Sequence, residues 1–290
     1  MADLPTYGDG TDGFFGLLAG LYAAALAAPA VAVGVALGVT ADPGVLFFAL
    51  LGTGAVVAGA VGWPARRTAL AVRLGVTPRV WVAMVLPFAY FGLLFGLGEV
   101  RGGDPPSAVA GLALVGAIAG VTVGVGLATA ARNRHAKAVL SDADELVRFS
   151  APAPERDRRV AKRVGVGAVV VSVAGMIGSL ELGAPLARGA FQFLAPLGAS
   201  LFGTTTTRRV AVTDAGLLVG NPVSKTVRPW GDFESYAVTD EAVVVRRDEW
   251  SLWGLWDVRR DAGEIEDPEA VAEALAEFLP KRADRNKGLR

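Results

Sequence analysis

Residues 14–39 read FFGLLAGLYAAALAAPAVAVGVALGV, a stretch without a single charged side chain. A helix needs about 20 mainly apolar residues to cross the roughly 30 Å hydrocarbon layer of a bilayer. The stretch therefore predicts a membrane-spanning helix. No Lys or Arg precedes Arg66, so the basic flank of a secretory signal is missing and we expect the segment to stay in the mature protein.

Further apolar segments follow along the chain, and together they predict about six transmembrane helices. With the first, from Phe14 to Val39, they run from Val45 to Trp63, Val80 to Gly98, Ala108 to Ala131, Val164 to Leu182 and Leu186 to Gly203. The last two are shorter and are separated only by residues 183–185. They form either two full crossings or a hairpin that enters the bilayer deeply without crossing it.

The composition agrees with a membrane protein and argues against common catalytic sites. Of the 290 residues 52% are hydrophobic and 19% charged, and the mean hydropathy is +0.45. Without cysteine, disulfides and thiolate ligands are excluded, and we expect the one histidine, His135, to lie on a solvated basic surface. Phosphate-loop, His-Glu-x-x-His and Gly-x-Ser-x-Gly motifs are missing from the sequence. We therefore expect no enzyme activity, no cofactor and no metal.

The basic residues predict the orientation, because cytoplasmic loops retain Lys and Arg. They concentrate in the second and fourth loops, at Arg66, Arg67, Arg73, Arg79, Arg132, Arg134, Lys137, Arg148, Arg156, Arg158, Arg159, Lys162 and Arg163, whereas the alternate loops carry only Arg101 and Arg188. The pattern predicts a multi-pass protein of the cell membrane with both termini in the cytoplasm. Glu99 and Glu181 lie near span ends, where we expect them to reach the interface.

Glycines at four-residue spacing indicate where helices approach each other closely. The pairs are Gly16 with Gly20, Gly34 with Gly38 and Gly92 with Gly96, and the fourth span has the triple Gly116, Gly120 and Gly124. A chain with 37 glycines also produces such pairs by chance. The triple is the strongest candidate for a helix contact.

The pattern divides the chain into residues 1–131, a four-helix transmembrane block; 132–163, a basic cytoplasmic linker; 164–203, a transmembrane hairpin; 204–280, a cytoplasmic domain; and 281–290, a basic tail. Within the linker, Ser141 and Asp144 predict a short helix through Phe149. In the domain, apolar runs at 209–213, 217–219, 233–238 and 242–245 predict strands, with Gly216 in a tight turn. Pro268 after Asp267 opens an amphipathic helix. The domain is thus a small α+β domain.

Four residues of the predicted C-terminal domain belong to two short motifs that resemble those of a known family. Asp214 and Gly216 belong to Val212-Thr-Asp-Ala-Gly-Leu-Leu-Val219, and Trp230 and Asp232 follow in Arg228-Pro-Trp-Gly-Asp-Phe233. Together with the membrane hairpin and the final helix, they resemble the membrane-anchored bacterial and archaeal pleckstrin-homology-like domains over about residues 164–280. The resemblance implies a strongly bent sheet plugged by one helix, with a binding or scaffolding role and no catalytic residues.

The charge of the predicted domain bears on its partners. Residues 204–280 hold eight basic and fifteen acidic side chains, a net of 8 − 15 = −7, which repels nucleic acid and anionic headgroups. Trp250, Trp253 and Trp256 recur every third residue and are candidate interaction residues. They either pack between the sheet and the transmembrane bundle or lie in a loop that enters the headgroup layer, where indoles are favoured. We expect a non-enzymatic membrane protein that presents a protein-interaction domain; the alternative is a transporter or channel for a small uncharged solute.

Overall fold

The computed structural model describes residues 12–77, 80, 82–101, 106–141, 143–182, 191, 194–195, 198–203, 205–247 and 257–282. These residues form two compact units: residues 1–142 with 222–226, and residues 143–221 with 227–290. The first unit is helical. Its helices are α1 (Gly13–Gly38), α2 (Pro43–Ala65), α3 (Thr68–Val76), α4 (Val82–Val85), α5 (Ala89–Arg101) and α6 (Ser107–Leu140).

Four helices in the described part of the chain are long and apolar enough to cross a membrane. Three are α1, α2 and α6, and the fourth is α7 (Glu155–Glu181) of the second unit. They correspond to the first, second, fourth and fifth predicted spans. The third predicted span, Val80 to Gly98, is not one continuous helix, because a 3₁₀ turn at Leu86–Phe88 separates α4 from α5. Pro87 inside that turn cannot supply a helical N–H, which accounts for the break.

Glycines let the helices of the first unit pack backbone against backbone. A Cβ on Gly16 would lie 2.7 Å from the Gly62 carbonyl oxygen, and one on Gly20 would overlap the Ala58 carbonyl, so α1 and α2 meet along this line. Nothing lies within 4 Å of a Cβ placed on Gly34, Gly38, Gly92 or Gly96. Of the predicted glycine pairs, only the first therefore lies at a close contact.

The glycine triple of α6 faces the broken third segment. Gly116 lies under the Tyr90 ring, Gly120 lies against Pro87, and a Cβ on Gly124 would overlap the Ala83 carbonyl. Tyr90 also donates its hydroxyl proton to the Leu26 carbonyl of α1. The helix break is therefore filled by packing against the smooth glycine face of α6.

Gly20→Leu should separate α1 from α2, because the new side chain would occupy the space of the Ala58 carbonyl. We expect a lower midpoint of thermal unfolding of the detergent-solubilised chain, at a cost of about 1–3 kcal/mol, as is typical of overpacking. Gly34→Leu on the same helix is the control, since among the described residues no atom beyond its own helix backbone and chain neighbours lies within 4 Å of a Cβ there. Equal midpoints for the two variants would contradict this packing.

The second unit contains two antiparallel sheets and a closing helix. One sheet has the order β1 (Glu145–Ala151), β2 (Arg208–Thr213), β3 (Gly216–Gly220) and β4 (Lys225–Arg228); the other has β5 (Phe233–Val238), β6 (Ala242–Arg247) and β7 (Val258–Asp261). The helix α8 (Pro268–Ala276) follows. The predicted strands corresponding to β2, β3, β5 and β6 and the predicted final helix are confirmed, whereas β1, β4 and β7 were missed.

The segment predicted as a linker holds a strand. Residues 145–151 form β1, not the end of a short helix, and β1 pairs with β2 along its length, from Glu145 opposite Thr213 to Ala151 opposite Arg208. The alternation of Leu146, Val147, Arg148 and Phe149 suits an edge strand, and its partner lies more than 50 residues further along the sequence. The helical hairpin that begins with α7 is thus inserted between two paired strands.

The core of this unit lies between the two sheets and α8. It contains Val210, Val212 and Leu217 from the first sheet, Phe233, Tyr236, Val243 and Val245 from the second, and Val271, Ala274 and Leu275 from the helix. Asp267 caps α8 by accepting a hydrogen bond from Ala270 N at 2.9 Å, and Pro268 occupies the first turn. The sequence predicts both the capping aspartate and the proline of the first turn.

Candidate functional site

The motif residues of the second unit meet at one corner of the core. Gly216 has φ +146°, a conformation that side chains disfavour, and a Cβ there would overlap the Arg228 carbonyl oxygen. Asp214 joins this turn to the residue before β1, since its Oδ1 accepts from Asp144 N at 3.0 Å and its N–H donates to Asp144 O at 3.2 Å. Glycine and aspartate at these positions therefore shape the turn between β2 and β3.

Trp230 connects that corner to the final helix. Its Nε1–H donates to the Thr213 carbonyl at 3.0 Å, and its ring stacks on Phe278 with centroids 4.5 Å apart and planes 3° from parallel. Asp232 donates its backbone N–H to Pro229 O at 3.0 Å and closes a 3₁₀ turn before β5. Trp230 therefore holds the end of β2 against Phe278 beyond α8, and Asp232 contributes to the turn that leads into β5.

Trp230→Phe should lower the midpoint of thermal unfolding by the loss of one hydrogen bond, about 1 kcal/mol, because the ring can still stack on Phe278. The midpoint would be followed by circular dichroism of the detergent-solubilised chain. Trp63→Phe, at a side chain that is 72% exposed, is the control and should leave the midpoint unchanged. If the two variants unfold alike, the Thr213 bond contributes nothing.

Two ion pairs fasten the start of α7 to the edge strand β7. Arg259 and Asp261 alternate onto the same side of β7. Arg259 Nε lies 3.3 Å from Asp157 Oδ2, and Arg158 Nη2 lies 3.6 Å from Asp261 Oδ2. The residues that precede α7 contribute a backbone bond as well, since Asp261 N donates to Pro152 O at 3.0 Å. The base of the hairpin is therefore bound to the second sheet as well as to the first.

Burial lowers the pKa of Arg260, which lies between Arg259 and Asp261 in β7. Arg260 is 8% exposed, and its Nη1 donates to the Arg259 carbonyl at 2.8 Å. Desolvation, with a smaller contribution from the charge of Arg208, lowers the pKa of Arg260 to about 10. The guanidinium thus stays protonated at neutral pH, and the strand carries a positive charge on each of its two sides.

Reversing the pair Asp157–Arg259 tests this attachment. Arg259→Asp should destabilise the chain because two carboxylates then face each other, and Asp157→Arg in the same chain should restore the midpoint of thermal unfolding. For this half-buried pair we expect the effects of the two substitutions on the free energy of unfolding to differ from additivity by about 1 kcal/mol. The same reversal of the exposed pair Glu155–Arg159, at 2.9 Å, should show a smaller coupling. Equal couplings would refute the proposed difference.

Within the hairpin, small residues again allow close contact. Gly165 and Gly198 face each other, with a Cβ on either within 3 Å of the other's carbonyl oxygen. Deeper in the hairpin, Ser172 is fully buried and donates its hydroxyl proton to the Phe191 carbonyl at 2.6 Å. Gly165 and Gly198 lie outside the predicted glycine pairs, although their small size within an apolar segment is the signal that marks them.

The remaining predicted residues are three tryptophans, two glutamates near span ends and the histidine. Trp250, Trp253 and Trp256 lie outside the described residues, in the connection between β6 and β7. The side chain of Glu99 also lies outside them, and Glu181 is exposed at the end of α7. His135 is half-buried beside Gly75, not on a solvated surface as predicted.

The first unit has a comparable polar contact at its loop 222–226. Asn133 of α6 donates from Nδ2 to the Val223 carbonyl at 2.7 Å and accepts from Lys225 N at 2.7 Å. Among the described residues, no group of three or more His, Cys, Asp or Glu could hold a metal ion.

Comparison with known proteins gives no family. No family model matches the chain, and neither a curated protein nor a solved structure matches it.

Proposed function

We propose that this chain is a multi-pass protein of the cell membrane that holds an interaction domain at the cytoplasmic face. The observation that carries the proposal is the insertion of an apolar helical hairpin between two paired strands. Because Ala151 and Arg208 are partners in one ladder, both ends of the hairpin leave the same sheet. A domain built in this way has two chain connections to the bilayer.

Exposed apolar side chains support membrane insertion. On α2, Phe48 is 71% and Val56 70% exposed, and on α7, Val170 is 59% and Ile177 55% exposed. In water, contiguous apolar surface of this kind is unfavourable by about 25 cal/mol for each Å². In a bilayer the same side chains face lipid tails at no cost.

The basic residues support the orientation. Arg156, Arg158, Arg159, Lys162 and Arg163 precede the apolar part of α7, and the positive-inside rule assigns such a cluster to the cytoplasm. Since both hairpin ends leave one sheet, we place the whole two-sheet unit and the C-terminus on that side. The first helices then follow the predicted orientation, with the N-terminus in the cytoplasm.

The arrangement of the sheets supports a pleckstrin-homology-like fold for the second unit. A four-stranded and a three-stranded antiparallel sheet enclose one core, and α8 packs against it through Val271 and Leu275. The motif residues Gly216 and Trp230 form the corner where β2 turns into β3. On this proposal the family's motifs serve the fold, and the binding surface lies elsewhere.

We assign the binding surface to the connection between β6 and β7, with its three tryptophans Trp250, Trp253 and Trp256. Tryptophan is enriched among the interface residues that contribute most of the binding free energy between proteins. The net charge of −7 over residues 204–280 favours a protein partner with a basic surface over nucleic acid. The proposed function is thus scaffolding or partner recruitment, without catalysis.

Transport of a small uncharged solute is the second candidate, and the broken third segment favours it. Discontinuous helices often surround transport sites. Here, however, the break at Leu86–Phe88 is packed against Gly120, and Tyr90 covers Gly116. Flux of a solute into proteoliposomes, lost in Gly120→Leu, would support transport over scaffolding.

A photoreactive amino acid at position 253 should crosslink a partner protein in intact cells, whereas the same group at Glu277, exposed beyond α8, should not. Trp250→Ala with Trp256→Ala should abolish the crosslink without releasing the chain from membranes at alkaline pH. Retained crosslinking in that double variant would contradict the assignment of the tryptophan segment. Release of the unaltered chain by alkaline carbonate would contradict membrane insertion itself.

A further inference from the structure

The first two and a half turns of α7 carry a cluster of positive charge. Arg156, Arg158, Arg159, Lys162 and Arg163 fall within an arc of about 160° when α7 is drawn at 100° per residue. Asp157 lies on the opposite side and is engaged with Arg259. The cluster is therefore a one-sided basic face.

Not all five charges are free to bind a ligand. Arg158 is half-buried and pairs with Asp261, and Arg159 meets only the exposed Glu155 four residues before it. Within the described ranges, Lys162 and Arg163 have no carboxylate within 4 Å, and both are exposed. Arg156, at the other end of the face, is likewise exposed and has no carboxylate within 4 Å in the part of the chain that the structure describes, so unpaired charge lies at both ends of the face.

An open cleft coincides with this face. It has a volume of about 290 Å³ and is lined by Glu155, Arg158, Arg159 and Lys162. Three of its four lining side chains are cationic, and the carboxylate of Glu155 is held by Arg159. A phosphate in the cleft would meet guanidinium and ammonium donors, which are the groups that bind phosphate oxygens in proteins.

The distance between the basic residues and the apolar part of α7 indicates whether the phosphate belongs to a lipid. The apolar part of α7 begins at Val164, and each residue adds about 1.5 Å, so Arg159 to Arg163 lie within about 8 Å of the hydrocarbon boundary. The headgroup layer is about 5–8 Å thick on each side of a bilayer. In a chain inserted as proposed above, these side chains lie at the depth of lipid phosphates, whereas Arg156 lies beyond them.

We propose that the basic face of α7 binds the phosphate of an anionic lipid headgroup through Arg159, Lys162 and Arg163. The inference rests on the proposed membrane insertion and goes beyond the proposed scaffolding role. Because residues 204–280 as a whole carry a net charge of −7, this part of the chain is repelled by an anionic leaflet, and the basic helix face offsets that repulsion at the hairpin base. Lipid binding thus belongs to the hairpin and not to the two sheets.

The test measures the affinity of the full, detergent-solubilised chain for phosphatidylglycerol in mixed micelles. The readout is the shift of the midpoint of thermal unfolding as the lipid concentration rises. Arg159→Gln, Lys162→Gln and Arg163→Gln together should weaken the apparent affinity at least about tenfold, since each charge near an anionic surface contributes severalfold. The matched control replaces three exposed cations of the sheets, Arg209, Lys225 and Lys281, by Gln and should retain the affinity. Phosphatidylcholine should give no shift with any chain.

Two results would overturn the proposal. If the α7 triple variant retains the phosphatidylglycerol shift, the basic face is not the site. If inorganic phosphate at the same concentration reproduces the shift, the site takes a free anion and not a lipid. Alkaline extraction of the same variants from membranes is measured in parallel, so that a failure of insertion is distinguished from a failure of lipid binding.

Discussion

The ladder between β1 and β2 is the constraint on which the arrangement of the second unit depends. Ala151 and Arg208 are paired residues, yet the whole hairpin lies between them in the sequence. Paired strands hold their backbones about 5 Å apart, so the chain must leave the sheet and return to the same place. Residues 152–207 therefore begin and end at neighbouring positions of one sheet, and the helix α7 that they contain is long and apolar enough to cross a membrane.

Charge is distributed in agreement with that constraint. Residues 204–280 as a whole carry a net charge of −7, whereas the first turns of α7 are basic. Ion pairs between Arg158 and Asp261 and between Asp157 and Arg259 join α7 to β7. Such partly exposed pairs contribute little stability each. Their effect is to fix the direction in which α7 leaves the sheet.

Close backbone contact takes the place of hydrophobic burial within the apolar helices. Lipid tails are as apolar as leucine, so helices gain from packing and from polar contacts more than from leaving the solvent. Gly20 against Ala58, Gly124 against Ala83 and Gly165 against Gly198 provide the packing, and Ser172 bonded to the Phe191 carbonyl provides a polar contact. By contrast, the core between the sheets is made of Val, Leu and Phe, as expected for a domain in water.

The sequence alone determined the features that depend on neighbouring residues. Apolar stretches of membrane length, the turn at Gly216 and the capped helix after Asp267 are local patterns with a direct physical cause, and the sequence predicts each of them. Only the tertiary structure decided that Leu146 to Phe149 form a strand, that a 3₁₀ turn at Pro87 divides the third apolar segment, and which glycines touch a neighbour. Strand pairing and helix contact join residues far apart in sequence, and their energy comes from partners that no local pattern contains.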